Sequence, residues 1–494
     1  MENESVPGEH PYLPPIAVVH LEHILAGPNP NLYLAAALDE RYATVGEPLP
    51  LRYEFTWQHL NRGRYAEEAL IQGAINCIDP RSGAFVVSKC AYVLEIDCWL
   101  CIAYEFDGVD RFFLITGSFD QAKLGIFFPD SSLLVVGQVE PGWDKIGIDC
   151  CTQLNRHIGS AEDWSSPANA HAKTRCSGIL HVGFTKNLGH YMWNDLAGIE
   201  LALQAGSVRN IETVLIGPHD FFPVEEIFPE LGSSGVHFKR KSAPFPPCVR
   251  HYETLPLRLS GNRISQELRQ RIVSFAIRAN SIDLNDLVRL NDDGLNLWFN
   301  LRSHNKTWLG QAEGIVDIAN CVKRSLRPSQ VLRLFLDGTP DTKSVAESIR
   351  LRTNGSTEVI DATDVSLSKS VVFTSLIDLH VSVIGSGMTI PHWIMGRRGV
   401  AHSNRIHLNQ QTWWNSVSEA TRDVVFVSTP MITDHAGSNG LYVNYDMPPS
   451  AVIDKLSPLF SQVNISLRRT AVTQMLALAS QERWSEAARR VILV

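Results

Sequence analysis

"GILHVGFTKNLGHYMWNDLAGIELALQAG", Gly178 to Gly206, decides the fold class of this chain. Ile179, Leu180 and Val182 form a short apolar run that stops at Gly183, as a buried strand does. From Leu196 the apolar residues recur with helical or near-helical spacing (Ile199, Leu201, Leu203), and Gly206 closes the pattern. The stretch therefore reads as strand, loop, helix. Working outward, the same unit recurs through "IETVLIG", "PVEEIFPELG" and "GVHFKR". After the helical "ISQELRQRIVSFAIRA" it resumes with "GLNLWFNLR", "LGQAEGIVDIANCVKRSL", "QVLRLFLDG", "DTKSVAESIRLRTNG", "STEVIDA", "LSKSVVFTSLI", "LHVSVIGSG", "MTIPHWIMG" and "RGVAHS". Strands alternating with helices of this length form βαβ units on parallel sheets. The fold class is α/β, with two Rossmann-like domains facing across a cleft and a strand-rich N-terminal region. The boundaries fall at 1–154 for that region, 155–285 and 292–445 for the two domains, and 446–494 for C-terminal helices.

The N-terminal region differs in style. "GAFVVSKCAYVLEIDCWLCIAYEF", "RFFLITG", "KLGIFF" and "SSLLVVGQV" are β-branched and aromatic runs cut by Asp-Gly, Gly-Ser and Pro-Asp turns. One helical pattern, "GRYAEEALIQGAI", interrupts them. The acidic "DGVD", Asp107 to Asp110, is turn punctuation between two strands.

Composition narrows the function classes. The chain has 494 residues, 44% of them apolar, and a formal net charge of −8. A net negative charge argues against a nucleic-acid partner, which needs clustered Lys and Arg. The basic "HFKRK", His237 to Lys241, reads as a solvated strand end. "MENESVPGEHPYLPP" lacks the apolar core of a secretory signal, and no window reaches the roughly 18 apolar residues of a membrane span. These features predict a soluble, cytoplasmic protein with no transmembrane segment. The nine cysteines are scattered and fit reduced thiols. Cys98 and Cys101 point to opposite faces of a strand, and Cys150–Cys151 has no second cluster, so no metal site is expected.

Three constellations lie where predicted parallel strands end, the side on which open α/β sheets bind ligands. The first is "TKNLGHYMWND". His190 sits near a helix start, where the positive potential favours a neutral, basic imidazole. Asn194 shares its helix face, and Asp195 follows one position later. His190 is the candidate general base, with Asp195 as second choice. The second is "LWFNLRSHNKTWLGQAEGI", in which Arg302 and Lys306 follow a strand and Glu313 rides on the next helix. Two cations at a strand end suit a diphosphate. The third is "VIGSGMTIPHWIMG", where Gly385, Ser386 and Gly387 allow the close backbone approach a phosphate needs. It is neither the GxGxxG dinucleotide fingerprint nor the GxSxG nucleophile elbow.

In this order the three motifs resemble glycosyltransferases of GT-B architecture. The family most similar is that of plant xylan arabinosyl and xylosyl transferases and the extracellular O-GlcNAc transferase. Its chains carry a "GHW"-like segment, an Arg-bearing strand that opens the second domain, and a late "GAGLTN"-like loop. The resemblance spans roughly residues 177 to 405. In this chain Ser386 replaces a small Ala, "MTIPHW" replaces the Leu-Thr-Asn continuation, and Glu313 alone represents the family's acidic residues. The resemblance implies transfer of a sugar from a nucleotide-sugar donor to a hydroxyl of a glycan, lipid-linked or protein acceptor, as in polysaccharide biosynthesis. It places Arg302 on the donor diphosphate, Gly385 to Gly387 along the donor site, and His190 or Asp195 toward the acceptor. It also implies metal-independent chemistry, with the nucleotide-sugar as co-substrate and no further cofactor. The alternatives are a non-catalytic sugar- or nucleotide-binding protein and an enzyme like the polysaccharide pyruvyl transferases.

Overall fold

A computed structural model describes residues 16–20, 65–80, 82, 84–96, 99–117, 123–136, 143–160, 176–241, 248–261, 263–280, 290, 294–353, 355, 357–420, 424–435, 442–460 and 463. The opening segment "MENESVPGEHPYLPP", the tract from Ala161 to Arg175, Cys98 and the expected C-terminal helix from Ser466 lie outside the described residues. The chain forms two compact units. The first is Met1–Lys186, Gly198–Asp220 and Glu230–Ser260; the second is Asn187–Ala197, Phe221–Pro229 and Gly261–Val494.

The first unit contains two sheets. The larger orders Ala17–His20, Leu133–Val136, Lys123–Phe128, Arg111–Thr116, Trp99–Asp107, Cys90–Ile96 and Cys248–His251 side by side. All neighbours are antiparallel except the first pair. Helix Trp143–Ser160, which lacks an obvious start signal in the sequence, buries Cys150, Cys151, Leu154 and Ile158 against Tyr92, Leu94, Phe113, Phe127 and Leu134. The last strand of this sheet comes from far downstream, and Arg250 fastens it. Its guanidinium lies 3.4 Å from the buried Glu105 and over the rings of Tyr92 and Tyr252, at 5.2 and 4.2 Å. The chain then enters the second sheet, whose order is His237–Arg240, Ile211–Ile216, Ser177–Val182 and Thr254–Leu257, all parallel. Counted along the chain, those four strands lie as third, second, first and fourth.

The second unit repeats that order and extends it. Thr357–Ala362, Leu332–Asp337, Leu295–Asn300, Leu379–Val383, Gly399–His402 and Val425–Phe426 lie as third, second, first, fourth, fifth and sixth, all parallel. This is the doubly wound order, and it reverses between Leu295–Asn300 and Leu379–Val383. Helix Gln266–Ala279, capped by Ser265, packs on Leu367–Ser375, and Gln311–Ser325 packs on Lys343–Arg352 and Pro449–Phe460. Trp298 and Phe335 are stacked, and Phe373 caps Phe335. The expected α/β class with parallel sheets holds, beside an antiparallel N-terminal sheet.

Local departures have local causes. The helix expected through "PVEEIFPELG" is two short ones, Val224–Ile227 and Pro229–Ser233, because Pro229 has no N–H to continue the first. The helix expected from His190 is a π-helix, Tyr191–Leu196, followed by an α-helix, Ala197–Gln204. Its buried face is Leu196, Ile199 and Ala202, while Leu201 is exposed, since two residues beyond Ile199 lies on the opposite side of a helix. "MTIPHWIMG" also forms a π-helix, Thr389–Ile394, a wider turn that houses Pro391.

One packing contact is unusually exacting. Trp308 donates its indole N–H to Asp446 Oδ1 and the Met447 carbonyl, at 3.0 and 3.1 Å, and its ring lies on Gly314. A Cβ at 314 overlaps that indole. Gly314→Ala, which in an exposed helix gains about 1 kcal/mol, should here cost about 1–3 kcal/mol of overpacking. Thermal unfolding should show a fall of roughly 2–4 °C per kcal/mol lost; an unchanged or higher melting temperature contradicts the packing.

Candidate functional site

Arg302 follows the first strand of the second unit's sheet and Gly385 follows the fourth, so the two loops flank the point where strand order reverses. Gln311 holds the Arg302 backbone at both ends: its Oε1 accepts from Arg302 N at 3.1 Å and its Nε2 donates to Arg302 O at 2.6 Å. The guanidinium donates to Ser386 Oγ at 2.6 Å and Asn305 Oδ1 at 3.1 Å, while its buried Nε has no partner among the described residues. Lys306 is buried. Its Nζ donates to the Ile384 carbonyl at 3.0 Å and its N–H to the Tyr442 carbonyl at 3.3 Å. Its backbone is left-handed at φ 50°, a strained state for a residue with a Cβ.

The glycines fit these cations. Gly385 has φ 95°, and a Cβ there would come within 3.0 Å of Lys306 Nζ. At Gly387 a Cβ would collide with Asn300 Oδ1. Asn300 Nδ2 in turn donates to Asp337 Oδ2 at 3.2 Å, and burial pushes that carboxyl up to about 7.

Among the described residues neither Arg302 nor Lys306 pairs with a carboxylate. Burial, then the neighbouring Arg302 charge, holds the Lys306 ammonium well below its ordinary range, and burial lowers Arg302 as well. His402 and His407 are pushed down to about 3, first by burial and then by these cations. His402 Nδ1 sits 2.6 Å from the Tyr445 hydroxyl and His407 Nδ1 2.8 Å from Asn404 Oδ1. Removing an ion from water costs several kcal/mol. A buried Lys306 and a half-buried Arg302, with no carboxylate partner among the described residues, form a site that suits an anion, and their place four residues apart on one loop suits a polyphosphate.

The first motif, from Asn187 onward, belongs to the same unit. Asn187 Oδ1 caps the helix by accepting from His190 N at 3.2 Å. Asn194 Nδ2 donates to the Gly261 carbonyl at 3.1 Å, which fixes the amide so that Oδ1 faces His190 Nδ1 at 2.9 Å. Nδ1 therefore carries the proton of the neutral ring, and Nε2 is its basic nitrogen. The His190 ring lies 4.6 Å from Trp193, and Trp193 lies 5.1 Å from Trp393 of the second π-helix. Asp195 is buried on the same π-helix.

Of the residues singled out in the sequence, Arg302, Lys306, Gly385, Ser386 and Gly387 come together in one network. His190 connects to Trp393 through Trp193, and Asp195 lies buried on the same π-helix. Glu313 stands apart: it is exposed and paired with Arg352. Gln311, two residues earlier, holds the loop instead. His402, His407 and Tyr445 carry no local motif that marks them.

Two outcomes follow from the charge arrangement. Lys306→Met should leave the ligand-free protein as stable as the parent or more so, because it removes a charge that burial penalises, while abolishing stabilisation by pyrophosphate. Thermal shift with and without pyrophosphate checks both parts. His402 and His407 bind protons far more weakly folded than unfolded, where the ordinary value is about 6.5. Their contribution is intact above that pH and is lost as pH falls from about 6.5 toward 3. The melting temperature should drop across that window, and a flat profile contradicts the burial of neutral imidazoles.

No protein-family model and no curated protein matches the chain. Among solved structures it is similar to a glycosyl transferase of family 9 from Veillonella parvula, at 14% identity over 58% of this chain and 98% of that one, TM-score 0.34. It is also similar to ADP-heptose LPS heptosyltransferase II of E. coli, at 10% identity over 58% and 99%, TM-score 0.31. A third is S. aureus MnaA, solved with UDP, at 10% identity over 58% and 80%, TM-score 0.27.

Proposed function

We propose that this protein is a glycosyltransferase that moves a sugar from a nucleotide-sugar donor to an acceptor hydroxyl. The observation that carries this reading is the pair of cations, Arg302 and Lys306, enclosed at the reversal point of a doubly wound sheet with no carboxylate partner among the described residues. A nucleoside diphosphate supplies the missing charge there. Arg302 offers a fork and Lys306 a point charge, and Gly385 to Gly387 allow the phosphate to approach backbone. The motif order in the sequence supports the same reading.

In the proposed reaction the acceptor oxygen attacks the anomeric carbon as its bond to the diphosphate oxygen breaks. His190 Nε2 takes the acceptor proton. Asn194 acts through His190, fixing the tautomer that leaves Nε2 basic. Arg302 and Lys306 stabilise the negative charge that grows on the departing diphosphate.

A thermal-shift screen with UDP, GDP, CMP and dTDP identifies the nucleotide, since specific binding raises the melting temperature in a concentration-dependent way. With that donor, His190→Ala should reduce turnover by roughly 10²–10⁴-fold while nucleotide affinity stays near the parent value. Arg302→Lys keeps the charge but loses the fork, and should weaken both nucleotide binding and turnover. A binding protein without catalysis would show the nucleotide effects and no turnover to lose. A folded, fully active His190→Ala protein would transfer the role of base to Asp195.

A further inference from the structure

Helix Gln411–Ser416 carries two adjacent tryptophans in contrasting settings. Trp414 is buried. Its indole N–H donates to the His407 carbonyl at 3.0 Å, and its ring lies nearly parallel to Trp393 and His407. Trp413 is 47% exposed. It meets Trp193 and Trp414 in edge contacts only, at 5.4 and 4.3 Å with interplanar angles of 88° and 79°. Among the described residues no ring stacks on it and its indole N–H makes no hydrogen bond. The cluster beneath nevertheless fixes it in place, so this aromatic surface is displayed without a freely rotating side chain.

Its position links the two halves of the site. Trp193, which Trp413 touches, is also the ring on which His190 rests. On the other flank, His407 lies 6.4 Å from the ring of Tyr442, which is 48% exposed and whose carbonyl receives the Lys306 N–H. A half-exposed, immobilised Trp thus stands one ring away from the candidate base, and a half-exposed Tyr adjoins the cation loop.

The occupant must have an apolar face for the indole and a polar rim for His190. A pyranose has both: axial C–H groups on one face, which complement the negative face of an aromatic ring, and hydroxyls around its edge. A nucleobase would be expected nearer the cations. Trp413 reaches His190 through one intervening ring, Trp193, whereas its route to the cations runs through two, Trp414 and His407.

We propose that Trp413, aided by Tyr442, is the platform on which a pyranose ring of the acceptor stacks, so that the acceptor class is a glycan. This rests on the reading of His190 as the base and of the cations as the diphosphate site. On binding, one ring hydroxyl would face His190 Nε2.

The test titrates the full chain with soluble xylan, mannan and glucan fragments, in the presence of the nucleotide that stabilises it, by intrinsic tryptophan fluorescence and saturation-transfer NMR. One fragment class should bind. Trp413→Ala should weaken it by about tenfold or more, and Trp413→Phe should retain most of the affinity. Nucleotide stabilisation should be unchanged in both variants, and melting temperatures confirm folding. Equal glycan affinity in folded Trp413→Ala overturns the proposal, as does nucleotide binding with no response to any fragment. If Trp413→Ala lowers nucleotide affinity to that of pyrophosphate, the platform holds the base and the proposal fails while the diphosphate site stands. A parent protein that ignores every nucleotide and pyrophosphate sinks the diphosphate reading separately.

Discussion

The arrangement of the second unit turns on one constraint: Arg302 and Lys306 are held on one loop with no carboxylate partner among the described residues. Keeping them there needs Gln311 clamped across the Arg302 backbone, a left-handed turn at Lys306, and two glycines in the facing loop. It also keeps the surrounding histidines neutral. Neutral His402 and His407 can then share hydrogen bonds with Tyr445 and Asn404 without adding to the repulsion. Reordering any of these groups would expose a cation to a less polar or more crowded setting.

The two π-helices make the second contribution. They start nine and six residues after the strand ends Val182 and Val383, and each turns a tryptophan, Trp193 or Trp393, onto the other. A π-turn carries more residues per turn than an α-turn, so side chains after it rotate out of the register that a regular helix would give. That is why the His190 face and the buried Leu196–Ile199–Ala202 face coexist on one short segment.

Much of this was legible in the sequence. The strand–helix alternation carries the α/β class, because period-two and period-3.6 patterns are local properties. Arg302, Lys306 and Gly385–Gly387 are legible because each lies in a loop that begins where a strand ends. The rest depends on contacts distant along the chain. Glu313 drew attention by charge, yet the neutral Gln311 is what reaches back to Arg302. Tyr445, His407 and Trp413 arrive from more than a hundred residues away and have no spacing that marks them. The π-helices were read as α-helices because an apolar pattern does not report one inserted residue. Helix Trp143–Ser160 is not legible because its polar residues dilute the apolar stripe that Leu154 and Ile158 complete.

The strand Cys248–His251 has a consequence for how the protein is made. Its partner, Cys90–Ile96, is synthesised about 150 residues earlier and waits as an open sheet edge while the intervening chain emerges. At typical synthesis rates of roughly 5–20 residues per second, that edge stays unpaired for many seconds. An unpaired edge with Tyr92, Val93 and Leu94 on it invites pairing with another chain. Glu105 is likewise without Arg250 until the same moment. The antiparallel sheet therefore completes only after most of the first parallel sheet has been translated, and the nascent chain during that interval is where a folding helper would matter most.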